Sequence, residues 1–207
     1  MKDIKEIYAR IKQKVIEAGY GKEIVWQGSI RFDQMTEQDL LRELAWVVMS
    51  SGMKEEVIRY RFHGVRKAFK MFESAKLIVD DLEHCEGEAL KCFNHEGKIT
   101  AISLAALKIM DDGFENLKER IKQNPIPVLQ EFKFIGPITS YHLAKNLGIQ
   151  VAKPDRHLSR MAIACGYQDV QHFCSWISLQ TGDPISVVDI VLWRFATIEH
   201  DYLKVFK

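Results

Sequence analysis

The chain has 207 residues, of which 47% are hydrophobic and 28% charged, and its formal net charge is +1. This is the balance of an ordinary globular protein, large enough for one domain or two small interlocked ones. It excludes a membrane-spanning helix, since no run approaches the ~20 apolar residues a bilayer requires, and a surface blanketed in positive charge for nucleic acid.

Met1-Lys2-Asp3-Ile4-Lys5-Glu6 is charged, lacks the apolar stretch of a secretory signal and opens an amphipathic pattern. A first helix is expected from about Asp3 to Ala18, stopped by Gly19, with a loop marked by Gly21 and Gly28. Thr36 with Asp39 forms a variant capping box, opening a helix that carries Leu40, Leu41, Leu44, Val47 and Val48 and ends near Ser50-Ser51-Gly52. Helices follow over 54–73, 75–82 and 98–110, the last stopped near Gly113, and then over 114–122, closed by Asn124-Pro125. Later helices span 139–147 up to Gly148, 155–165 up to Gly166, and 169–180 before Gly182. Asp183-Pro184 reads as a cap and first-turn pair for a last helix through Ile198. No alternating run demands a strand, and no repeat or long flexible linker stands out, so the expected class is all-α, with any two subdomains interleaved.

Charge is unevenly spread along these elements. Between Lys54 and Lys76 seven Lys or Arg face three Glu, and between Lys133 and Arg160 five face one Asp. Acid gathers instead in Asp80, Asp81, Glu83, Glu86 and Glu88. One basic segment alone reads as a solvated helix face, whereas two beside candidate motifs read as a phosphate-facing surface. The four cysteines, Cys85, Cys92, Cys165 and Cys174, fit a reducing compartment, and the expected location is cytoplasmic, associated with DNA. His84, Cys85, Cys92 and His95 do not match the spacing of a compact zinc motif and read as packing or surface residues, so no metal site is expected from them.

The stretch that carries chemistry runs from Glu131 to Arg160. Glu131-Phe132-Lys133-Phe134-Ile135-Gly136-Pro137-Ile138-Thr139-Ser140 reads as a helix, a tight turn at Gly136 and a second helix with Pro137 in its first turn. The second helix N-terminus would offer backbone N–H groups to a phosphate. After a short crossing, Lys153-Pro154-Asp155-Arg156-His157 opens a third helix. By itself Asp155 reads as the N-cap of that helix.

Together these residues resemble the helix-hairpin-helix DNA glycosylase superfamily, whose hairpin reads hydrophobic-Pro-Gly-hydrophobic-Gly, two residues, Thr-Ala, with an Asp about sixteen residues later. Here Gly136 matches the second hairpin glycine, Thr139-Ser140 the Thr-Ala pair and Asp155 the carboxylate, while Phe134 stands where the first glycine falls. Phe-Lys-Phe-Ile-Gly is similar to the hairpin of the 3-methyladenine glycosylase I branch, and Glu43 to Met53 and His95 to Ile102 are similar to the superfamily's segments before its wedging turn and its hairpin. The resemblance implies two helical subdomains with a central cleft: about 36–130, and 1–35 together with 131–207, the latter carrying the hairpin and Asp155. It implies Asp155 as catalytic residue, with Lys133, Phe134, Ile135, Gly136, Pro137, Thr139, Lys153, Arg156 and His157 meeting DNA. Trp46, Tyr60 and Tyr141 would line a pocket for a flipped base, and Ser50, Ser51 and Met53 the turn that wedges into the duplex.

The expected activity is that of a monofunctional DNA glycosylase of base excision repair, acting on a damaged base, with alkylated purine the first choice. A fixed carboxylate would stabilise the oxocarbenium-like sugar and orient the attacking water once the base is flipped from the duplex. The family's lyase lysine falls on Ile138, which cannot form a Schiff base. Lys145 and Lys153 are near in sequence and read as phosphate contacts. The base-reading Glu of the nearest branch falls on Val47, and that branch's zinc ligands have no counterparts. The four closely spaced cysteines of an iron–sulfur cluster are also missing after Asp155. No cofactor is therefore expected beyond a monovalent cation held by hairpin carbonyls; the partner is lesion-bearing duplex DNA, no membrane is involved, and the protein acts as a monomer. The rival readings are a non-catalytic helix-hairpin-helix DNA clamp, which has no use for a carboxylate at Asp155, and an enzyme acting on free nucleosides, which would not need the basic segments.

Overall fold

The computed structural model describes residues 4–206; Met1, Lys2 and the expected helix start at Asp3 lie outside the described residues. Every regular element among the described residues is helical. The first are α1 (Ile4–Val15), α2 (Gly21–Ser29), α3 (Glu37–Ser50), α4 (Glu55–Ala68) and α5 (Ala75–Val79). Then come α6 (Leu82–Cys92), α7 (Glu96–Asp112), α8 (Phe114–Gln123), α9 (Pro125–Leu129) and α10 (Thr139–Asn146). The last are α11 (Arg156–Ala164), α12 (Val170–Thr181) and α13 (Ile185–Ile198). None of the described helices is long and apolar enough to cross a membrane.

The chain divides into two compact units, one made of Met1–Phe32 with Gly148–Lys207 and the other of Asp33–Leu147. In the first, α1 turns Ile4, Ile7, Tyr8, Ile11 and Val15 inward at helical spacing and packs on α12 and α13. The α13 side of that core is Val187, Val188, Val191, Leu192 and Phe195. Each fully buried large apolar side chain contributes about 1.5–3 kcal/mol. Polar struts tie the same elements together. Arg194 grips both carboxylate oxygens of Glu23 at 2.6 and 2.8 Å and lies over the rings of Tyr20 and Trp193. Asp183 accepts from the Tyr8 hydroxyl at 2.7 Å and from Lys12. This corrects the expected role of Asp183 as the cap of α13: its carboxylate is engaged by α1, and α13 begins without a side-chain cap.

The second unit is built around α3 and α7. Thr36 and Asp39 form the reciprocal capping box at the start of α3, which buries Leu40, Leu41, Leu44, Val47 and Val48. The helix expected over 54–73 stops at Ala68, because Lys70, Met71 and Phe72 take φ of 50, 57 and 60°. This left-handed turn brings the Phe69 and Phe72 rings, both fully buried, into a stack with centroids 6.0 Å apart. The acidic stretch beyond Asp81 is helical in α6, which packs backbone-close on α4: a Cβ on Gly64 would lie 2.7 Å from Cys92 Sγ. Segment 131–147 falls in this unit rather than with Asp155 as the sequence boundaries had it, because α10 packs on α9 and α3. Similarly, α2 occupies the stretch expected as a loop around Gly21 and Gly28, since Ile24 and Gln27 share a buried face.

Gly148 opens the segment leading to Asp155 at φ +93°, and a Cβ there would lie 2.6 Å from the Phe32 backbone nitrogen. Gly148→Ala is therefore expected to cost about 3 kcal/mol or more, combining backbone strain with overpacking. Gly182→Ala, left-handed at φ +79° but with open space at its Cβ, should cost only about 1–2 kcal/mol. Urea denaturation of the two variants measures the difference.

Candidate functional site

The turn between α9 and α10 is built from the inside. Phe132 and Ile135 are buried and anchor it to the core, so Ile135, expected among the DNA-facing residues, presents no side chain to a ligand. Lys133, Phe134, Pro137 and Ile138 are the exposed tip. Gly136 N–H donates to Thr139 Oγ1 at 2.7 Å, and Ser140 N–H to the Gly136 carbonyl at 2.9 Å. Among the described residues no protein acceptor faces the N–H of Ile138 or Thr139. These two donors, with exposed Lys133 beside them in sequence, are the groups a phosphate takes at a helix N-terminus.

Phe134, at the position where the sequence comparison expected a glycine, takes a conformation that favours one. Its φ is +68°, so the position still demands the left-handed region, at a cost of about 1–2 kcal/mol for a side chain. Packing holds it there. The ring meets His95 edge-on with centroids 6.3 Å apart, and a Cβ on Gly97 would lie 3.5 Å from it. His95 in turn stacks on buried Phe93.

Ser50, Ser51 and Met53 lie where α3 ends. Ser51 N–H donates to Val47 O and Met53 N–H to Ser50 O, both at 3.1 Å, and Gly52 takes φ +70°. Met53 is exposed, whereas the Ser50 hydroxyl is enclosed without a hydrogen-bond partner among the described residues, so Ser50 points away from any wedging tip. The turn is held by a residue that sequence reasoning missed. Lys98, buried in the first turn of α7, donates to Met49 O at 2.7 Å and Ser51 O at 2.5 Å, and burial holds its ammonium below the usual lysine range. A second missed residue is Glu43, buried on α3. It accepts from Asn146 Nδ2 at 2.9 Å and Arg42 Nε at 3.0 Å, and so ties α3 to α10. Burial pushes its carboxyl above the ordinary range, against the opposing pull of Arg42 and Asn146. Both could have been noticed as charges set within apolar helical stripes.

The three rings expected around a flipped base are not brought together. Trp46 is half-buried, edge-on to Phe62 at 5.1 Å, with the Arg59 guanidinium 5.8 Å from its ring. Tyr60 is 81% exposed on α4 with the Arg61 guanidinium 5.4 Å from its ring, and Tyr141 is half-buried on α10. No ring contact joins them among the described residues. An enclosed pocket cannot use a side chain as exposed as Tyr60. Val47, at the family's base-reading position, is fully buried.

Asp155 belongs to the first unit and caps α11: its Oδ1 accepts from His157 N–H at 2.8 Å and Leu158 N–H at 3.1 Å. Its Oδ2 makes no hydrogen bond to the described residues. The strap from Gly148 to Pro154 that delivers it has no regular structure and is held by side chains instead. The Gln171 amide brackets Ala152, accepting from its N–H at 2.8 Å and donating to its carbonyl. Buried Asp189 accepts from Lys153 N–H at 2.6 Å, and Gln150 Oε1 faces Ser186 Oγ at 3.3 Å. Arg156 is exposed and its Nε donates to His157 Nε2 at 3.2 Å, which leaves Nδ1–H to donate to the Tyr202 hydroxyl at 3.2 Å. Desolvation first, then Arg156, Arg160 and Lys153, hold the imidazole below its usual range despite Asp155, so His157 is neutral at pH 7 with both ring nitrogens facing protein groups.

All four cysteines are free, and burial pushes the Cys165 thiol up to about 11. Among the described residues no group of three His, Cys, Asp or Glu is placed to hold a metal ion. Compared with protein-family models, curated proteins and solved structures, the chain matches none.

At position 134 glycine should be more stable than alanine by about 1 kcal/mol, since both lose the ring but only glycine sheds the strain; urea denaturation of Phe134→Gly and Phe134→Ala checks the order. Lys98→Met leaves two carbonyls without their donor and should cost about 1–3 kcal/mol. Amide exchange at Ser51 and Met53 is expected to accelerate in that variant.

Proposed function

We propose that the chain is a monofunctional DNA glycosylase of the helix-hairpin-helix type. It hydrolyses the N-glycosidic bond of a damaged base, an alkylated purine first among candidates, flipped from duplex DNA. The observation that carries this reading is the division of labour in the Asp155 carboxylate. Two backbone N–H groups fix Oδ1, while Oδ2 has no hydrogen bond to the described residues. An oriented carboxylate with one open oxygen suits a developing oxocarbenium ion and the water that attacks it. The hairpin supports the same reading through the N–H groups of Ile138 and Thr139, which have no partner among the described residues. Ile138 at the family's lyase position leaves water as the nucleophile.

Thr139 Oγ1 lies 3.4 Å from the carbonyls of both Phe134 and Gly136, and a monovalent cation of the kind the resemblance implies would have to take these oxygens in place of that hydroxyl's hydrogen bonds. Such a cation would fix the turn and add positive charge for phosphate. One observation favours the rival non-catalytic clamp: capping α11 is by itself a sufficient structural role for Asp155.

Single-turnover reactions on labelled duplexes with different lesions, split with and without hot alkali, decide between them. Strand cleavage only after alkali, slowed about 100-fold or more in Asp155→Asn, is the expected result. Asparagine caps helices as well as aspartate does, so this loss would not reflect unfolding. Cleavage without alkali would overturn the monofunctional assignment. No product on any lesion, with salt-dependent DNA binding intact in both proteins, would establish the clamp instead.

A further inference from the structure

The strap before Asp155 contains an arrangement that capping alone does not explain. Asp189 lies in the second turn of α13 among Val187, Val188, Val191 and Leu192, and is 1% exposed. A carboxylate so placed is costly unless hydrogen-bonded. It accepts from the backbone N–H of Lys153 at 2.6 Å, and Lys153 O accepts from Asp155 N–H at 2.8 Å. Pro154, between them, has no N–H and disfavours helical backbone at Lys153. Lys153 N–H is thus the last strap amide before Asp155, and Asp189 ties it to the core. One residue further back, the Gln171 amide holds both backbone groups of Ala152, which is fully buried.

The geometry points to Asp189 as a positioning residue for Asp155, with Gln171 as its second anchor. Asp189 touches no substrate. It sets where the strap enters α11, while the cap bonds to His157 and Leu158 set how the carboxylate turns. The inference rests on the proposed role of Asp155. The identity of the anchor matters because a displacement of about 1 Å at a reacting group can cost about 100-fold in rate. A side chain that merely filled the core would show no such coupling.

The test compares Asp189→Leu, which keeps the branching at Cγ but has no acceptor, with Asp189→Asn, which retains one, and with Gln171→Ala, which loosens the strap at a half-buried site. Single-turnover excision, duplex affinity, thermal stability and amide exchange at His157 and Leu158 are measured on each. In Asp189→Leu excision should fall about tenfold or more with affinity within about twofold, while both amides exchange faster; Gln171→Ala should move the same readouts less, and Asp189→Asn should recover to within about threefold of wild type. If Asp189→Leu lowers only thermal stability, with excision and both amides unchanged, Asp189 is a core residue and the inference is wrong. A wild type that excises nothing would instead remove the catalytic reading of Asp155, and this inference with it.

Discussion

The surroundings of Asp155 depend on holding a strap that has no secondary structure of its own. Buried backbone groups must find partners, and between Gly148 and Pro154 several of those partners are side chains of α12 and α13. The close approach of Gly148 to Arg31 and Phe32 fixes one end, and the cap of α11 fixes the other. The strap is thus braced along its length, and it ends in a carboxylate that is only partly buried.

The same logic operates in the second unit with different chemistry. Lys98 and Glu43 are buried charges, and each is retained where an apolar residue would pack more cheaply. Each joins helices distant in sequence: α7 to the end of α3, and α3 to α10. Their directional bonds specify one arrangement of these elements, whereas apolar contact alone would tolerate sliding.

Much of this architecture was legible in the sequence. The apolar spacing in α1, α3 and α11, the Thr36–Asp39 box and the glycine stops at 52, 113, 148, 166 and 182 are local signals, and they survive folding unchanged. Asp155 and the turn at Gly136 were visible for the same reason. The misreadings came from partners distant in sequence. Asp183 looked like a cap until Tyr8 and Lys12 engaged it, and Tyr60 looked like a pocket residue although α4 turns it outward. Asp189 and Gln171 gave no local sign, because their work is done on backbone groups that no residue type advertises.

The left-handed turn at Lys70, Met71 and Phe72 bears on the order of folding. Three successive side chains in that region cost about 1–2 kcal/mol each, and within the turn only two hydrogen bonds, Phe72 N–H to Phe69 O at 2.8 Å and Glu73 N–H to Lys70 O at 3.2 Å, offset the cost. Further compensation comes when Phe69 and Phe72 stack inside the core, Gln38 donates to Met71 O at 3.2 Å and Lys70 meets Asp81 at 2.6 Å. The larger part of this compensation is tertiary, so the turn is expected to close after the helices around it have assembled. Its strain weighs on the rate at which the native unit comes apart far more than on the rate at which it forms.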